Sequence, residues 1–120
     1  MVHEFPVRVY YEDTDLAGIV YYANYLKFIE RARSTMVREA GLDQMALKEG
    51  EGLVFAVRHV DATYLRPAKL DDALTIATKL QQLSGAKLLF EQDVMRGKEL
   101  LFSSKITVIC MNAAGRVVRL

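Results

Sequence analysis

The feature that most constrains the fold is one stretch of helical periodicity in a chain that otherwise alternates like strands. Between residues 22 and 40, apolar side chains recur at steps of three and four, while polar residues such as Lys27 and Arg38 form the opposite stripe. Gly41 follows where a left-handed C-cap glycine belongs, and Leu42 supplies the usual apolar contact. The pattern therefore predicts one long amphipathic helix that ends at Gly41.

The remaining segments favour β-structure. A β-rich run at residues 5–12 precedes the helix and ends in an acidic cluster. A short helical turn is predicted at residues 43–49. Four strands follow it, at residues 53–64, 73–83, 87–96 and 99–111.

Turn signals connect these strands. Ser84-Gly85 and Gly97 mark tight hairpins between neighbouring strands, and Ala114-Gly115 marks a last turn. A strand, a helix and four antiparallel strands make an α+β domain. We expect a five-stranded antiparallel sheet wrapped around one long central helix.

Composition indicates one globular domain over residues 1–120. The apolar fraction of 52% is enough for one core, and no linker or repeat divides the chain. A mean hydropathy of +0.09 suggests that a partner subunit covers some apolar surface, so we expect a homo-oligomer. The 16 basic and 15 acidic side chains argue against nucleic-acid binding, which needs a concentrated basic face.

Several chemistries lack their residues. Cys110 is the only cysteine, which excludes an intrachain disulfide, and its apolar neighbours predict a buried thiol. Two histidines far apart and one cysteine offer no spaced set of metal ligands, and no Gly-x-Ser-x-Gly elbow supports a serine hydrolase. Because neither a leader segment nor a membrane span is evident, we expect a cytoplasmic protein.

Three segments carry a family resemblance. Residues 11–26, YEDTDLAGIVYYANYL, resemble the signature of the 4-hydroxybenzoyl-CoA thioesterase family, especially its acyl-CoA thioesterase branch associated with the Tol-Pal envelope system. Residues 28–33, FIERAR, and 64–72, YLRPAKLDD, are similar to the same branch. The resemblance implies a hotdog fold, dimers or tetramers, and acyl-CoA hydrolysis without metal or organic cofactor. Tyr22 departs from that branch, which typically has histidine there.

The resemblance also assigns roles to residues. It implies that Asp15 is the catalytic carboxylate and that the backbone N–H of Tyr22, at the helix start, holds the thioester carbonyl. An ionised carboxylate can attack the thioester or take a proton from water, and the residues leave both routes open. Free N–H groups at a helix start suit the oxyanion that either route creates.

Four further residues are candidates for binding substrate. Gly18 gives the chain between Asp15 and the helix the freedom to bring both to one acyl group. Tyr11 belongs to a cluster of tyrosines that could form a pocket. Arg66 and Lys87 are candidates for the phosphates of CoA, although basic residues beside turns are usually only solvated.

Two other functions compete with hydrolysis. The first is a non-catalytic acyl-CoA-binding or envelope-complex interaction module on the same scaffold, which the fold alone would permit. Asp15 speaks against it, because a binder has no need of a carboxylate beside a thioester carbonyl. The second is a dehydratase or hydratase, for which His59 is the only candidate histidine, on a strand away from the helix start.

Overall fold

Within the part of the chain that the structure describes, residues 1–119 form one antiparallel sheet with two helices. The structure, a computed structural model, describes residues 1–119. Its elements in chain order are β1 (His3–Arg8), α1 (Asn24–Glu39), α2 (Gln44–Glu51), β2 (Val54–Tyr64), β3 (Ala73–Ser84), β4 (Lys87–Arg96) and β5 (Glu99–Met111). The strand order is β1-β3-β4-β5-β2, and every neighbouring pair is antiparallel. The predicted five-stranded antiparallel sheet is confirmed.

The helical part consists of two helices within residues 1–119. Helix α1 has 16 residues inside the predicted range 22–40, and α2, with 8 residues, lies where a short helical turn at 43–49 was predicted. The predicted stop is confirmed at Gly41, which has a φ of 98°. Its N–H donates to the Arg38 carbonyl and the N–H of Leu42 donates to the Val37 carbonyl, which is the Schellman closure.

The first strand is shorter than predicted. β1 ends at Arg8, and Tyr11–Asp13 form a 3-10 turn instead of continuing the strand. The Asp13 carboxylate accepts the N–H of Tyr10 at 2.8 Å, and the Tyr10 carbonyl accepts the N–H of Asp13 at 3.0 Å. Such local bonds compete with strand pairing, so the chain leaves the sheet before it reaches Asp15.

Helix α1 packs across β1, β3 and β4. Its apolar stripe buries Phe28, Ile29 and Ala32 against the inner face of the sheet, in a core that also contains Ile76, Phe90, Val94, Phe102 and Ile106. Cys110 is fully buried as predicted. Neither of the two helices within residues 1–119 is long and apolar enough to cross a bilayer.

Strand β2 forms the edge of the sheet that the helices cover less. Among the described strands it pairs only with β5, and a cavity of about 280 Å³ separates its first residues from α1. Val57, Val60 and Tyr64 are 48%, 43% and 46% exposed, although each pairs with a buried residue of β5 on the inner face. An apolar strip on the inner side of this edge is therefore open to solvent.

Candidate active site

Asp15 opens a tight turn that reverses the chain between Thr14 and Val20, which pair as an antiparallel bridge. Its N–H donates to the Ile19 carbonyl and its carbonyl accepts the N–H of Gly18, both at 2.9 Å. Gly18 has a φ of 79°, a conformation that glycine adopts without steric cost. The turn leaves the Asp15 side chain exposed, with Oδ1 accepting the N–H of Ala17 at 2.9 Å.

The same turn fixes the start of α1. The Asp13 carbonyl accepts the N–H of Tyr21 and the side-chain amide of Asn24, both at 2.9 Å. Tyr21 lies opposite Asp13, and Asp15 follows Asp13 by two residues. Asp15 is therefore displaced from the level of Tyr21 by about 7 Å of extended backbone. Within residues 1–119, the N–H groups of Tyr22 and Ala23 donate no backbone hydrogen bond. They stand at the positive end of the α1 dipole.

An open groove of about 310 Å³ lies beside this helix start. We call it the tyrosine groove, because three tyrosines line it together with apolar residues and one arginine: Ile19, Val20, Tyr22, Tyr25, Tyr64, Leu65, Arg66 and Pro67. Its walls offer a largely apolar surface with a single cation. Such a surface suits the uncharged part of a ligand.

The tyrosines are held by aromatic packing and by hydrogen bonds to the backbone. Tyr25 stacks on Phe102 with ring centroids 5.1 Å apart, and Tyr64 meets Tyr25 edge-on at 5.3 Å. The Tyr64 hydroxyl donates to the Tyr22 carbonyl at 2.8 Å, and the Tyr25 hydroxyl accepts the N–H of Ala68 at 3.0 Å. Burial raises the pKa of both tyrosines, against the lowering effect of the Ala68 bond on Tyr25, so both hydroxyls stay protonated.

Residues 65–72, the segment between β2 and β3, support the turn from the other side. Val20 donates to the Ala68 carbonyl at 2.9 Å, and Ile19 pairs with Lys69 as a bridge. The side chain of Asp72 accepts the Lys69 N–H and an Arg96 N–H. Burial opposes ionisation of Asp72, but these two hydrogen bonds outweigh it and lower its pKa.

The structure brings some of the predicted site residues together. Asp15, Gly18 and Tyr22 share the turn and the helix start. Arg66 lines the tyrosine groove, where an exposed ion pair with Glu99 at 3.3 Å holds it only weakly. Tyr11 lies exposed in the 3-10 turn and is not among the groove residues.

Lys87 and His59 lie elsewhere. Lys87 starts β4 at the β3–β4 hairpin, while Arg96, which contacts the segment behind the turn, ends the same strand. Nine residue steps of extended strand, about 30 Å, separate the two. Within one chain, Lys87 is therefore distant from Asp15. His59 is exposed on β2, next to the irregularity in its pairing with β5.

The family follows from comparison with known proteins. The sequence pattern of the thioesterase superfamily matches residues 17–103, which include Gly18, α1 and most of the sheet. The chain belongs to the thioesterase superfamily. The family and hotdog fold expected from the resemblance are thus confirmed, and with them the expectation of a thioester-hydrolysing enzyme at the level of the superfamily.

Individual superfamily members are similar over most of their length. The acyl-CoA thioesterase YbgC of Haemophilus influenzae is 44% identical over 108 residues, which are 90% of this chain and 79% of the relative. The acyl-CoA thioester hydrolase YbgC of Escherichia coli O157:H7 is 43% identical over 89% of this chain and 80% of its own. A probable thioesterase from Bartonella henselae superposes with a TM-score of 0.95 at 41% identity, covering 100% and 99% of the two chains.

Several contributors to the site were not predicted as site residues from the sequence. Tyr64, Asp72 and Arg96 were recognisable only as members of strands, turns or a family-like segment. Their partners lie far away in the chain: 42 residues separate Tyr64 from Tyr22, and 24 separate Arg96 from Asp72. Periodicity reports only on neighbours within a few residues, so it does not reveal contacts of this kind.

Proposed function

We propose that this thioesterase-superfamily chain hydrolyses acyl-CoA thioesters to the free acid and CoA, with Asp15 driving the reaction. The observation that carries the proposal is an exposed carboxylate on a tight turn that ends at a helix start with unpaired N–H groups. Relatives more than 40% identical are named acyl-CoA thioesterases, which supports the substrate class.

The chemistry needs two groups on one thioester. The N–H groups at Tyr22 and Ala23 would hold the carbonyl oxygen as negative charge develops on it. A donor of this kind is typically worth about 3 to 4 kcal/mol of the barrier. Asp15 would either accept a proton from the attacking water or attack the carbonyl carbon itself, and in both routes the C–S bond breaks and CoA leaves as a thiol.

The two routes differ in the fate of the attacking oxygen. Direct attack makes a mixed anhydride between Asp15 and the acyl group, and water then cleaves it. Label in the aspartate after single-turnover hydrolysis in ¹⁸O water would identify direct attack, since water that attacks the Asp15 carbonyl of the anhydride leaves its oxygen there, whereas attack on the acyl carbonyl puts the label in the product acid. A general base leaves the aspartate unlabelled.

The remaining site residues would bind the two ends of the substrate. The tyrosine groove would receive the uncharged part next to the thioester, with Gly18 shaping the turn above it. Arg66 at the groove and Tyr11 on the nearby 3-10 turn would contact the outer part of CoA. A contact from Lys87 to a CoA phosphate would have to come from a second chain, given its place at the far end of β4.

We further propose that the protein assembles through β2 and that its sheet encloses α1 as the central helix. β2 has 11 residues and a free edge, whereas β1 at the opposite edge has only 6 and contains Pro6. A long strand with an open edge is a template for pairing with another chain, and a proline blunts such an edge. A second copy would also cover the apolar strip on β2.

The deciding experiment is hydrolysis of short-chain, long-chain and aromatic acyl-CoAs by the purified protein and by Asp15→Asn. We expect the wild type to release thiol from at least one of them and the variant to lose about 100-fold or more in kcat, because the amide neither attacks nor accepts a proton. Glu12→Gln is the matched control, an acid-to-amide change on the adjacent exposed turn, and should retain wild-type activity.

Each contrary result has a distinct meaning. A wild type that releases no thiol from any thioester, yet binds acyl-CoA, would favour the non-catalytic binding module. An Asp15→Asn variant with full activity would leave the enzyme in place and remove Asp15 from the reaction.

A further inference from the structure

A series of hydrogen bonds, joined by one β-bridge, runs from β4 to the turn that carries Asp15. It begins at Arg96, whose Nη1 donates to Asp72 Oδ2 at 2.7 Å. The same oxygen accepts the N–H of Lys69 at 2.8 Å, and Lys69 pairs with Ile19 in an antiparallel bridge. The Ile19 carbonyl in turn accepts the N–H of Asp15 at 2.9 Å.

The guanidinium of Arg96 contacts the segment 65–72 at two points and also contacts Glu99. Its Nη1 also lies 3.3 Å from the Pro67 carbonyl, and its Nε donates to Glu99 at 3.2 Å. Pro67 and Asp72 are near the two ends of the segment 65–72, so one side chain ties both ends to β4. Both contacts come from Nη1, and the rigid guanidinium plane fixes the directions of its N–H groups, whereas a lysine ammonium is a single point charge on a flexible stem.

The ion pair is also shielded from water. The side chains of Arg96 and Asp72 are only 28% and 21% exposed, in contrast to the 67% and 45% of the neighbouring pair between Arg66 and Glu99. Partly buried pairs are screened much less by salt than exposed ones. The electrostatic attraction in this pair is therefore stronger than in its surface neighbour.

We propose that Arg96 and Asp72 are positioning residues that hold the segment 65–72, and through it the Asp15 turn, in register with the start of α1. The proposal rests on the proposed function, because it assumes that Asp15 takes part in hydrolysis. Neither side chain lines the tyrosine groove, although Pro67, whose carbonyl Arg96 contacts, does. A change in kcat without a matching change in KM therefore distinguishes displacement of the carboxylate from displacement of the groove. A displacement of about 1 Å in a catalytic group can cost on the order of 100-fold in rate.

The kinetic test compares Asp72→Asn and Arg96→Met with Glu99→Gln, which removes the other carboxylate partner of Arg96 and leaves the Arg96–Asp72 pair. We expect kcat to fall by about tenfold or more in the first two, with KM changed less than about threefold. Glu99→Gln should keep the wild-type kcat. Arg96→Lys keeps the charge without the fork and should lie between Arg96→Met and the wild type.

A second readout separates positioning from loss of fold and from loss of the proposed reaction. Amide hydrogen exchange at Val20 and Asp15, whose N–H groups bond to Ala68 and Ile19, should accelerate by about tenfold in Asp72→Asn and Arg96→Met, while amides of β4 and β5 keep their protection. Should one variant fail to fold, the other and Arg96→Lys carry the measurement.

Two results would overturn the proposal. One is wild-type kcat in folded Asp72→Asn and Arg96→Met. The other is unchanged exchange at Val20 and Asp15, even if kcat falls, since the residues would then act by another path. If the wild type hydrolyses no thioester, the proposed function fails, and the exchange rates alone decide whether the ion pair holds the turn.

Discussion

At the scale of single residues, the charged groups of this chain fall into two kinds of environment. Asp15 is exposed and accepts one hydrogen bond from its own turn, so its carboxylate is open to a ligand. Asp72 is partly buried but paired, and its hydrogen bonds lower its pKa. Asp93 is the contrary case, since its Oδ1 is buried and has no hydrogen-bond partner among the residues that the structure describes. The three aspartates therefore differ in exposure and in hydrogen bonding, although their side chains are identical.

Asp93 leads to a prediction about stability and pH. Burial raises its pKa, the Ser103 hydroxyl opposes the rise, and the carboxylate of Glu91 adds to it. An acid whose folded pKa is raised destabilises the fold above its unfolded pKa of about 3.9, because the folded state disfavours the charge. Asp93→Asn should therefore raise the free energy of unfolding by about 1 kcal/mol at pH 7.

That gain should shrink as the pH falls through the folded pKa of Asp93 towards about 4, where the wild-type carboxyl is also neutral. Urea unfolding at several pH values measures the difference. Glu4→Gln, an acid-to-amide change at an exposed position of β1, is the control and should change the free energy of unfolding at pH 7 by no more than about 0.5 kcal/mol. A loss of stability in Asp93→Asn at pH 7 would contradict the argument.

At the scale of elements, hydrogen bonds of one buried glutamine fix the position of α1 on the sheet. Gln92 of β4 donates to the Ile29 carbonyl at 2.8 Å and to the Thr78 hydroxyl at 2.9 Å. Its Oε1 accepts a hydrogen bond from Arg33 at 2.9 Å. Apolar packing alone tolerates small shifts of a helix along a sheet, whereas these directional bonds allow one position. The register of α1, and hence the place of its N-terminus, depends on them.

Replacement of the Gln92 side chain tests how much these hydrogen bonds stabilise the fold. Gln92→Leu should lower the free energy of unfolding by about 1 to 3 kcal/mol, because Thr78 and the partly buried Arg33 lose their partner. Urea unfolding monitored by circular dichroism measures the change. Gln81→Leu makes the same substitution at an exposed position of β3 and should change the free energy of unfolding by no more than about 0.5 kcal/mol. Equal effects of the two substitutions would refute the special role of Gln92.

At the scale of the whole molecule, the two edges of the sheet are unequal. β1 is short and contains Pro6, while β2 is long and bears Val57, Val60 and Tyr64 on an uncovered apolar strip. The pocket beside α1 and the tyrosine groove both adjoin β2. Any chain that covered this edge would therefore also border both depressions.

The expected assembly through β2 can be measured directly. Wild-type protein should sediment as at least a dimer of the 13.6 kDa chain, and Val60→Lys should shift it towards the monomer, because a buried ammonium would face the partner strand. Leu83→Lys places the same charge on an exposed apolar position at the β3–β4 hairpin and should leave the mass unchanged. A monomeric wild type, or an unchanged mass for Val60→Lys, would exclude β2 as the interface.

Local pattern by itself determined much of the architecture. Residues 87–96 and 99–111 were predicted with the bounds that β4 and β5 have, and Gly41 closes α1 as expected. These features depend on side chains within a few positions of one another, where periodicity and turn chemistry act. The acidic turn and its family signature likewise lie in one short segment around Asp15.

Tertiary structure decided what lies next to that segment. Helix α1 begins at Asn24, where the side-chain amide bonds to the Asp13 carbonyl, and not at residue 22 as predicted. Contacts between distant residues also place Tyr64 beside Tyr22 in the groove and Arg96 against the segment 65–72. The tertiary structure also carries Lys87 away from Asp15 along an extended strand. The physical reason is that strand pairing and side-chain hydrogen bonds join residues tens of positions apart, and no periodic pattern encodes which of them meet.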